Sequence, residues 1–348
     1  MPADGAKIFP RGNIMYCLFC YFCMTGFKKS DILYNILKIN MKYSIGLDIG
    51  GTKCAVSAGI CAESGIRIAA REAFPTAGLH WQEVLAAFEQ RIRSFGSSLP
   101  DFEPAGIGIS CGGPLDSERG VVLSPPNLPG WDGVPVTAYF RERFAVPVHL
   151  QNDANACAWA EYRYGAGRGT RNMVFMTFGT GLGAGLVLNG KLYTGTNDNA
   201  GEIGHIRLAP DGPVGYNKTG SAEGFCSGAG IARLAVIRAR EQGLEIGTPD
   251  TKEIFDRVRA GDPFFKGVFR ESAEKLATIL SYTIDILNPE VIVLGGVYMR
   301  NADLFLPIIE PLIAAEALPP ASKVCRIVPA GLGEAVGDYA ALAVANMD

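Results

Sequence analysis

The stretch Ile45-Gly46-Leu47-Asp48-Ile49-Gly50-Gly51-Thr52-Lys53 decides how the rest of the chain is interpreted. Its alternating apolar residues predict a buried strand that delivers Asp48 to a tight Gly50-Gly51 turn. Backbone N–H groups at such a turn can face an anion, and the missing Cβ atoms let a phosphate approach closely. Asp48 would then be placed to ligate a hydrated Mg²⁺, and Thr52 and Lys53 to donate to phosphoryl oxygens. A type I′ hairpin without a ligand is the alternative.

A second glycine-rich stretch follows a second predicted strand, residues 173–178. It runs Gly179-Thr180-Gly181-Leu182-Gly183-Ala184-Gly185 and contains the G-x-G-x-x-A pattern of dinucleotide sites, which requires a helix directly afterwards. Here the chain continues into the apolar residues 186–193, with Asn189-Gly190 at a turn, which predicts a hairpin instead. Two hairpin loops of this kind indicate two lobes that hold one nucleotide between them.

Polar residues follow two further segments. Asn152 and Asp153 come directly after a predicted strand, 148–151, and open a predicted helix, so a helix N-cap is the simplest role for either. Downstream, Glu202 and His205 stand three residues apart between glycines, in a chain with only three histidines. An imidazole in so polar a segment favours a site over a core position.

The motifs D-I-G-G-T-K, N-D-A-N-A, F-G-T-G-L-G-A-G, G-E-I-G-H and L-G-G (294–296) occur in the order found in the ROK family of bacterial sugar kinases and sugar-responsive repressors. The chain resembles this family from about Met41 to its C-terminus. The resemblance implies an α/β, two-lobed actin/hexokinase-like (ribonuclease H-like) fold with the active site in the interlobe cleft. It implies a small lobe of residues 41–151 plus the C-terminal helix 334–348, and a large lobe of residues 152–333. Residues 1–40 are expected to be an N-terminal extension outside the fold.

The resemblance also implies residue roles. Asp153 matches the family's catalytic base, which takes the proton from the sugar hydroxyl. The sugar-binding positions correspond to Gly112, Gly113, Asn127, Asn152, Glu202, His205 and Glu223. The positions that bind ATP, with Mg²⁺, correspond to Asp48, Gly50, Gly51, Thr52, Lys53, Thr180, Gly181, Gly228, Gly295 and Gly296. Groups that both donate and accept suit a ring of hydroxyls, and a carboxylate beside the reacting hydroxyl can act as a base.

One departure from the family pattern concerns metal. Most members carry C-x-C-G-x-x-G-C-x-E after the histidine of G-E-x-G-H, and those cysteines and the histidine hold zinc. Residues 214–223 contain no cysteine here, and Cys226 is a single thiol beyond the pattern, so a four-ligand structural zinc set is absent from the sequence. We therefore expect a zinc-free member in which hydrogen bonds orient His205. How the loop 214–222 is ordered, and which sugar it selects, is left open.

The expected activity is transfer of the γ-phosphoryl group of ATP to the 6-hydroxyl of glucose. N-acetylglucosamine, N-acetylmannosamine, mannose, fructose and β-glucosides are alternative substrates. A sugar-sensing ROK-type transcriptional regulator is the alternative from another class. Such a protein needs a winged-helix domain, and the hydrophobic first forty residues, with five cations, do not suit one.

Composition restricts the partners. At 348 residues and 48% hydrophobic the chain can bury two cores, and a net charge of −3 gives no electrostatic case for nucleic acid. The apolar run 14–24 is too short to span a bilayer, so we expect a cytoplasmic protein, and we also expect a homodimer. Reduced, buried thiols are expected at Cys54, Cys61, Cys111, Cys157, Cys226 and Cys325.

Overall fold

The computed structural model describes residues 42–347, so the expectations for residues 1–40 lie outside the described residues. The first elements are β1 (Tyr43–Ile49), β2 (Lys53–Ala62), β3 (Gly65–Pro75), α1 (Trp81–Ser98), β4 (Pro104–Cys111), β5 (Leu115–Asp116), β6 (Val121–Leu123), β7 (Asp132–Val134), α2 (Val136–Phe144) and β8 (Val148–Asn152). They are followed by α3 (Asp153–Tyr164), β9 (Met173–Phe178), β10 (Leu182–Leu188), β11 (Lys191–Tyr193), β12 (Val214–Gly215), β13 (Lys218–Thr219), α4 (Ala222–Cys226), α5 (Gly228–Glu241) and α6 (Thr251–Arg259). The last are α7 (Pro263–Leu287), β14 (Val291–Leu294), α8 (Gly296–Glu316), α9 (Pro319–Ser322), β15 (Arg326–Pro329) and α10 (Val336–Val344), and short 3₁₀ turns cover Ile203–His205 and Gly333–Ala335.

Two five-stranded sheets share one topology. The strand orders are β3-β2-β1-β4-β8 and β11-β10-β9-β14-β15. In each sheet the first three strands of the chain pair antiparallel, and the remaining two are added in parallel. Each glycine-rich loop therefore occupies the same place, the hairpin between the first two strands of its sheet. The predicted two-sheet α/β architecture with two hairpin loops is confirmed.

Each sheet has a hydrophobic core on one face. Ile45, Leu47 and Ile49 of β1 are buried with residues of α1 and α2, including Phe88. The corresponding strand β9 places Val174, Met176 and Phe178 in a second core with α7 and α8. Because side chains alternate along a strand, Ser44, Gly46 and Asp48 lie on the opposite face of β1.

The C-terminal helix α10 packs on that opposite face of the first sheet. A Cβ atom on Gly46 would lie 2.9 Å from the Leu342 backbone nitrogen, and one on Gly108 would collide with the Ala341 carbonyl oxygen. The glycines thus let the helix backbone lie directly on the strands. Asn346 Nδ2 donates to Ser44 Oγ at 2.9 Å, so the helix runs antiparallel to β1 and its first turn lies toward Asp48.

Three further expectations concern this part of the chain. The six cysteines of residues 42–347 are unpaired; Cys54, Cys111, Cys157 and Cys226 are buried, whereas Cys61 and Cys325 are half-buried. No helix among the described residues has the length and apolar character needed to cross a bilayer. The lobe boundaries at 151/152 and 333/334 remain predictions.

Candidate active site

The first glycine loop is held against the segment that carries Asn127. A Cβ atom on Gly51 would collide with the Asn127 carbonyl oxygen and lie 2.8 Å from the Asn127 Cβ, so this approach requires glycine. Behind the loop, the buried Thr76 donates its hydroxyl to the Gly50 carbonyl at 2.8 Å and its amide to the Thr52 carbonyl at 3.0 Å. A predicted nucleotide loop and a predicted sugar residue are therefore neighbours.

Asp48 is half-buried at the carboxyl end of β1. Burial raises the pKa of this carboxyl to about 6; the charges of Asp338 and Asp153 also raise it, whereas Lys53 and Arg71 lower it. Asp48 and the predicted base Asp153 thus lie within electrostatic reach of each other. That is the arrangement required if both face one phosphoryl group.

Asp153 is the first residue of α3, directly after β8. Asn152 is the N-cap of this helix, because its Oδ1 accepts the Ala154 amide at 2.9 Å. Asp153 Oδ1 accepts the same amide at 2.7 Å. The Asp153 side chain is accessible, but protein atoms crowd its other sides, and this desolvation raises the pKa of its carboxyl.

The glycine turn predicted to lie along the sugar adjoins Asn152. A Cβ atom on Gly113 would lie 3.3 Å from Asn152 Nδ2, whereas one on Gly112 would meet no atom within 4 Å. Gly112 therefore borders open space, as expected of a backbone segment that lines a ligand.

Glu202 lies within electrostatic reach of Asp153, Glu223 and His205. Desolvation raises the pKa of Glu202, the charges of Asp153 and Glu223 raise it further, and His205 lowers it. Glu223 lies beside the second glycine loop, because its Oε2 accepts the Leu182 amide at 3.1 Å. The charge of Asp153 thus acts on both Asp48 and Glu202, and that of Glu223 also acts on Glu202.

The predicted adenosine-side residues gather at the second loop. The Gly228 amide donates to the Gly179 carbonyl at 2.7 Å, and the Gly295 amide donates to the Met176 carbonyl at 3.0 Å. Gly296 has a φ of 55° and lies against the Phe178 carbonyl. The N-termini of α5 and α8 therefore meet beside Gly179–Gly181, where the helix dipoles favour an anion.

Thr52, Lys53 and Thr180 are exposed on their loops, so their predicted contacts depend on a ligand. Sequence reasoning missed Arg71 and Asp338, which form an ion pair of 2.7 Å between β3 and α10. Both charges act on Asp48. No motif marks them, because tertiary packing alone brings them to the end of β1.

The described residues, 42–347, contain no group of three or more His, Cys, Asp or Glu side chains placed to hold a metal ion. His205 instead has Lys218 beside it, with the ammonium donating to its carbonyl oxygen at 2.7 Å. The expected absence of zinc remains a prediction for metal analysis.

Comparisons with known proteins identify the family of the chain. The ROK family model matches residues 44–347. The chain is 32% identical to a glucokinase of Halalkalibacterium halodurans over 311 residues, which are 85% of this chain and 92% of the relative. It is 35% identical to an N-acetylmannosamine kinase of Escherichia fergusonii over 275 residues, 78% of this chain and 89% of the relative.

A solved structure is similar over the same region. It is the ROK family glucokinase from Streptomyces griseus in complex with glucose and AMPPNP, with a TM-score of 0.68, 31% identity, and coverage of 87% of this chain and 98% of that one. The predicted two-lobed actin/hexokinase-like fold is confirmed. The chain belongs to the ROK family.

Proposed function

We propose that this chain is a glucokinase, which transfers the γ-phosphoryl group of ATP to the 6-hydroxyl of glucose. As a ROK-family member with kinase relatives, it is an ATP-dependent phosphotransferase of the hexokinase type. The observation that carries the proposal is the position of Asp153, at a strand–helix junction within electrostatic reach of Asp48 on the first loop and of Glu202.

Asp153 acts as the general base. Its carboxylate accepts the proton of the sugar 6-hydroxyl as that oxygen bonds to phosphorus, and the bond between phosphorus and the bridging oxygen of ADP breaks. The raised pKa of Asp153 makes the ionised carboxylate a stronger base than an ordinary aspartate. Because Asn152 already caps α3, Asp153 does not have to serve that structural purpose.

ATP binds as its Mg²⁺ complex, between the two glycine loops. Asp48 fits a divalent cation because it is a half-buried carboxylate whose repulsion with Asp153 and Asp338 a cation would relieve. The cation supplies charge neutralisation on the phosphates. The loop amides, Thr52, Lys53 and Thr180 donate to phosphoryl oxygens, and the adenosine lies beside the segments of Gly228, Gly295 and Gly296, whose close packing brings the N-termini of α5 and α8 to the second loop.

The sugar lies along Gly112–Gly113, among Asn127, Asn152, Glu202, His205 and Glu223. Amide and imidazole groups donate, and the carboxylates accept, so each hydroxyl of a hexose can find a partner. N-acetylmannosamine is the second candidate substrate, because a relative of that specificity is 35% identical. A regulator without catalysis is less well supported, since Asp153 and both glycine loops are intact. We further propose a cytoplasmic homodimer.

The test is product identification. Purified protein is incubated with ATP, Mg²⁺ and each of glucose, mannose, fructose, N-acetylglucosamine and N-acetylmannosamine, and ³¹P NMR assigns the phosphorylated carbon. We expect glucose 6-phosphate from glucose, whereas 6-deoxyglucose should inhibit without being phosphorylated. Phosphorylation of 6-deoxyglucose would contradict the assigned hydroxyl, and no product with any sugar would contradict the proposal.

A further inference from the structure

Lys218 lies in the cysteine-free interval between His205 and Glu223, and its ammonium group is directed at His205. The ammonium donates to the His205 carbonyl oxygen at 2.7 Å and lies 3.5 Å from His205 Nδ1. An ammonium carries only donors. A hydrogen bond between the two groups therefore requires an unprotonated Nδ1, which leaves the proton of a neutral ring on Nε2.

A backbone framework holds Lys218 in this position. It is the first residue of β13, which pairs with β12 across a turn where Tyr216 and Asn217 have φ values of 45° and 61°. Positive φ at both central residues defines a type I′ turn, the tight connection that matches the twist of a hairpin. The Lys218 side chain thus leaves a fixed strand position.

The hairpin is itself tied to the segment that follows His205. The Leu208 amide donates to the Gly220 carbonyl and the Ala222 amide to the Ile206 carbonyl, both at 2.8 Å. Arg207 Nη1 donates to the Thr219 carbonyl at 2.6 Å. The Tyr216 ring packs edge-on to the imidazole, with a centroid distance of 6.0 Å. The His205 side chain is exposed, and the loop beside it is held in place by these hydrogen bonds.

We propose that Lys218 is a positioning residue, whose ammonium fixes the His205 ring with Nε2 protonated so that Nε2 donates to a sugar hydroxyl. This inference rests on the proposed function in assigning the sugar as the acceptor. Glu202 lies close enough for its charge and that of His205 to interact. A donor and an acceptor side by side suit one hydroxyl, which can accept from Nε2 and donate to the carboxylate. The loop 214–222 thus orients His205 through the ammonium group of its own Lys218.

The kinetic test separates sugar binding from catalysis. Lys218→Met keeps the length of the side chain and removes the charge and the donors. We expect the KM for glucose to rise about tenfold, the effect of one poorly made hydrogen bond, with little change in kcat and in the KM for ATP. Lys218→Arg keeps the charge and the donors, so it should retain most of the wild-type affinity for glucose. Lys252→Met is the matched control, because Lys252 is an exposed lysine on α6 paired with Asp256.

The spectroscopic test does not depend on activity. Long-range ¹H–¹⁵N correlation on the labelled, ligand-free full chain reports the tautomer of each histidine, and only His80, His149 and His205 are present. His205→Gln identifies the signal. We expect the Nε2–H tautomer in the wild-type and Lys218→Arg proteins, and a mixture in Lys218→Met.

A predominant Nδ1–H tautomer in the wild type would overturn the proposal. So would a Lys218→Met protein with an unchanged tautomer and an unchanged KM for glucose. A Lys218-dependent Nε2–H tautomer in a protein that phosphorylates no sugar would support the positioning of His205 and overturn the proposed function instead, so the two failures are distinguishable.

Discussion

The Glu223 carboxylate accepts the backbone amide of Leu182 at 3.1 Å and thereby joins α4 to the hairpin that carries the second glycine loop. A Cβ atom on the adjacent Gly181 would lie 2.8 Å from the same carboxylate oxygen. Glu223 is proposed for the sugar and Gly181 for the nucleotide. Glu223 therefore borders both subsites, and we expect its substitution to affect the binding of both substrates.

Glu223→Ala should raise the KM for glucose and the KM for ATP, each by about tenfold, because it removes one hydrogen bond to each side. Glu223→Gln retains an oxygen that can accept from the Leu182 amide, so the KM for ATP should stay unchanged. The KM for glucose should still rise. Steady-state kinetics with each substrate varied in turn measures both constants. An alanine variant that changes the KM for glucose alone would contradict a role of Glu223 in both subsites.

Asp48→Asn should stabilise the ligand-free protein at neutral pH while it abolishes activity. The folded pKa of Asp48, about 6, lies above its ordinary value of 3.8. Its contribution to stability is therefore complete below about pH 4 and is lost as the pH rises through 6. Removing the charge should raise the free energy of unfolding at neutral pH by about 1–3 kcal/mol.

Urea unfolding of both proteins at neutral pH and near pH 4 measures this linkage, and the gain should vanish at the lower pH. Asp256→Asn is a matched control, since that carboxylate is exposed on α6. A variant that is destabilised equally at both pH values would show that Asp48 is not under electrostatic strain.

Asp153→Asn should lower kcat by about 10²–10⁴-fold, the usual effect of a missing general base. The fold should survive because Asn152 supplies the N-cap of α3. Because desolvation also raises the pKa of Asp153, removing its charge should not lower the thermal unfolding temperature at neutral pH. Near-wild-type turnover in this variant would exclude Asp153 as the base.

The purified protein should contain no stoichiometric zinc, because the interval from 214 to 223 has no cysteine. Chelation with EDTA, followed by restoration of Mg²⁺ alone, should return full activity. Elemental analysis that finds one tightly held zinc per chain would contradict this expectation and would also question the role of Lys218.

The buried strands were predicted closely from the sequence. β9 coincides with the predicted strand at 173–178, and β8 extends the predicted 148–151 by one residue, because buried strands of a parallel sheet are continuous apolar segments. Helix α7 starts at Pro263, which no sequence motif marked, since the Asp262 side chain accepts the Phe264 amide and proline suits the first helical turn. The spacing of apolar residues alone does not predict such an N-cap.

For the candidate site, too, some residues were predicted from the sequence and others were not. Asp48, Asn152 and Asp153 were predicted as site residues because each stands at the end of a predicted strand, and the ends of parallel strands meet at one edge of a sheet. Thr76, Arg71, Asp338 and Lys218 were not, because their contacts cross the fold. Thr76 reaches Gly50 from the end of β3, and Arg71 meets Asp338 across 267 residues of chain. Only the packed structure brings such pairs together.

The most direct test of the central proposal is the ratio of kcat/KM for glucose to that for N-acetylmannosamine, measured with saturating ATP and Mg²⁺. A site that recognises hydroxyls through paired donors and acceptors discriminates strongly against an ill-fitting sugar. The proposal predicts that glucose is preferred by about tenfold or more. A preference of about a hundredfold for N-acetylmannosamine would retain the sugar kinase and contradict the glucokinase.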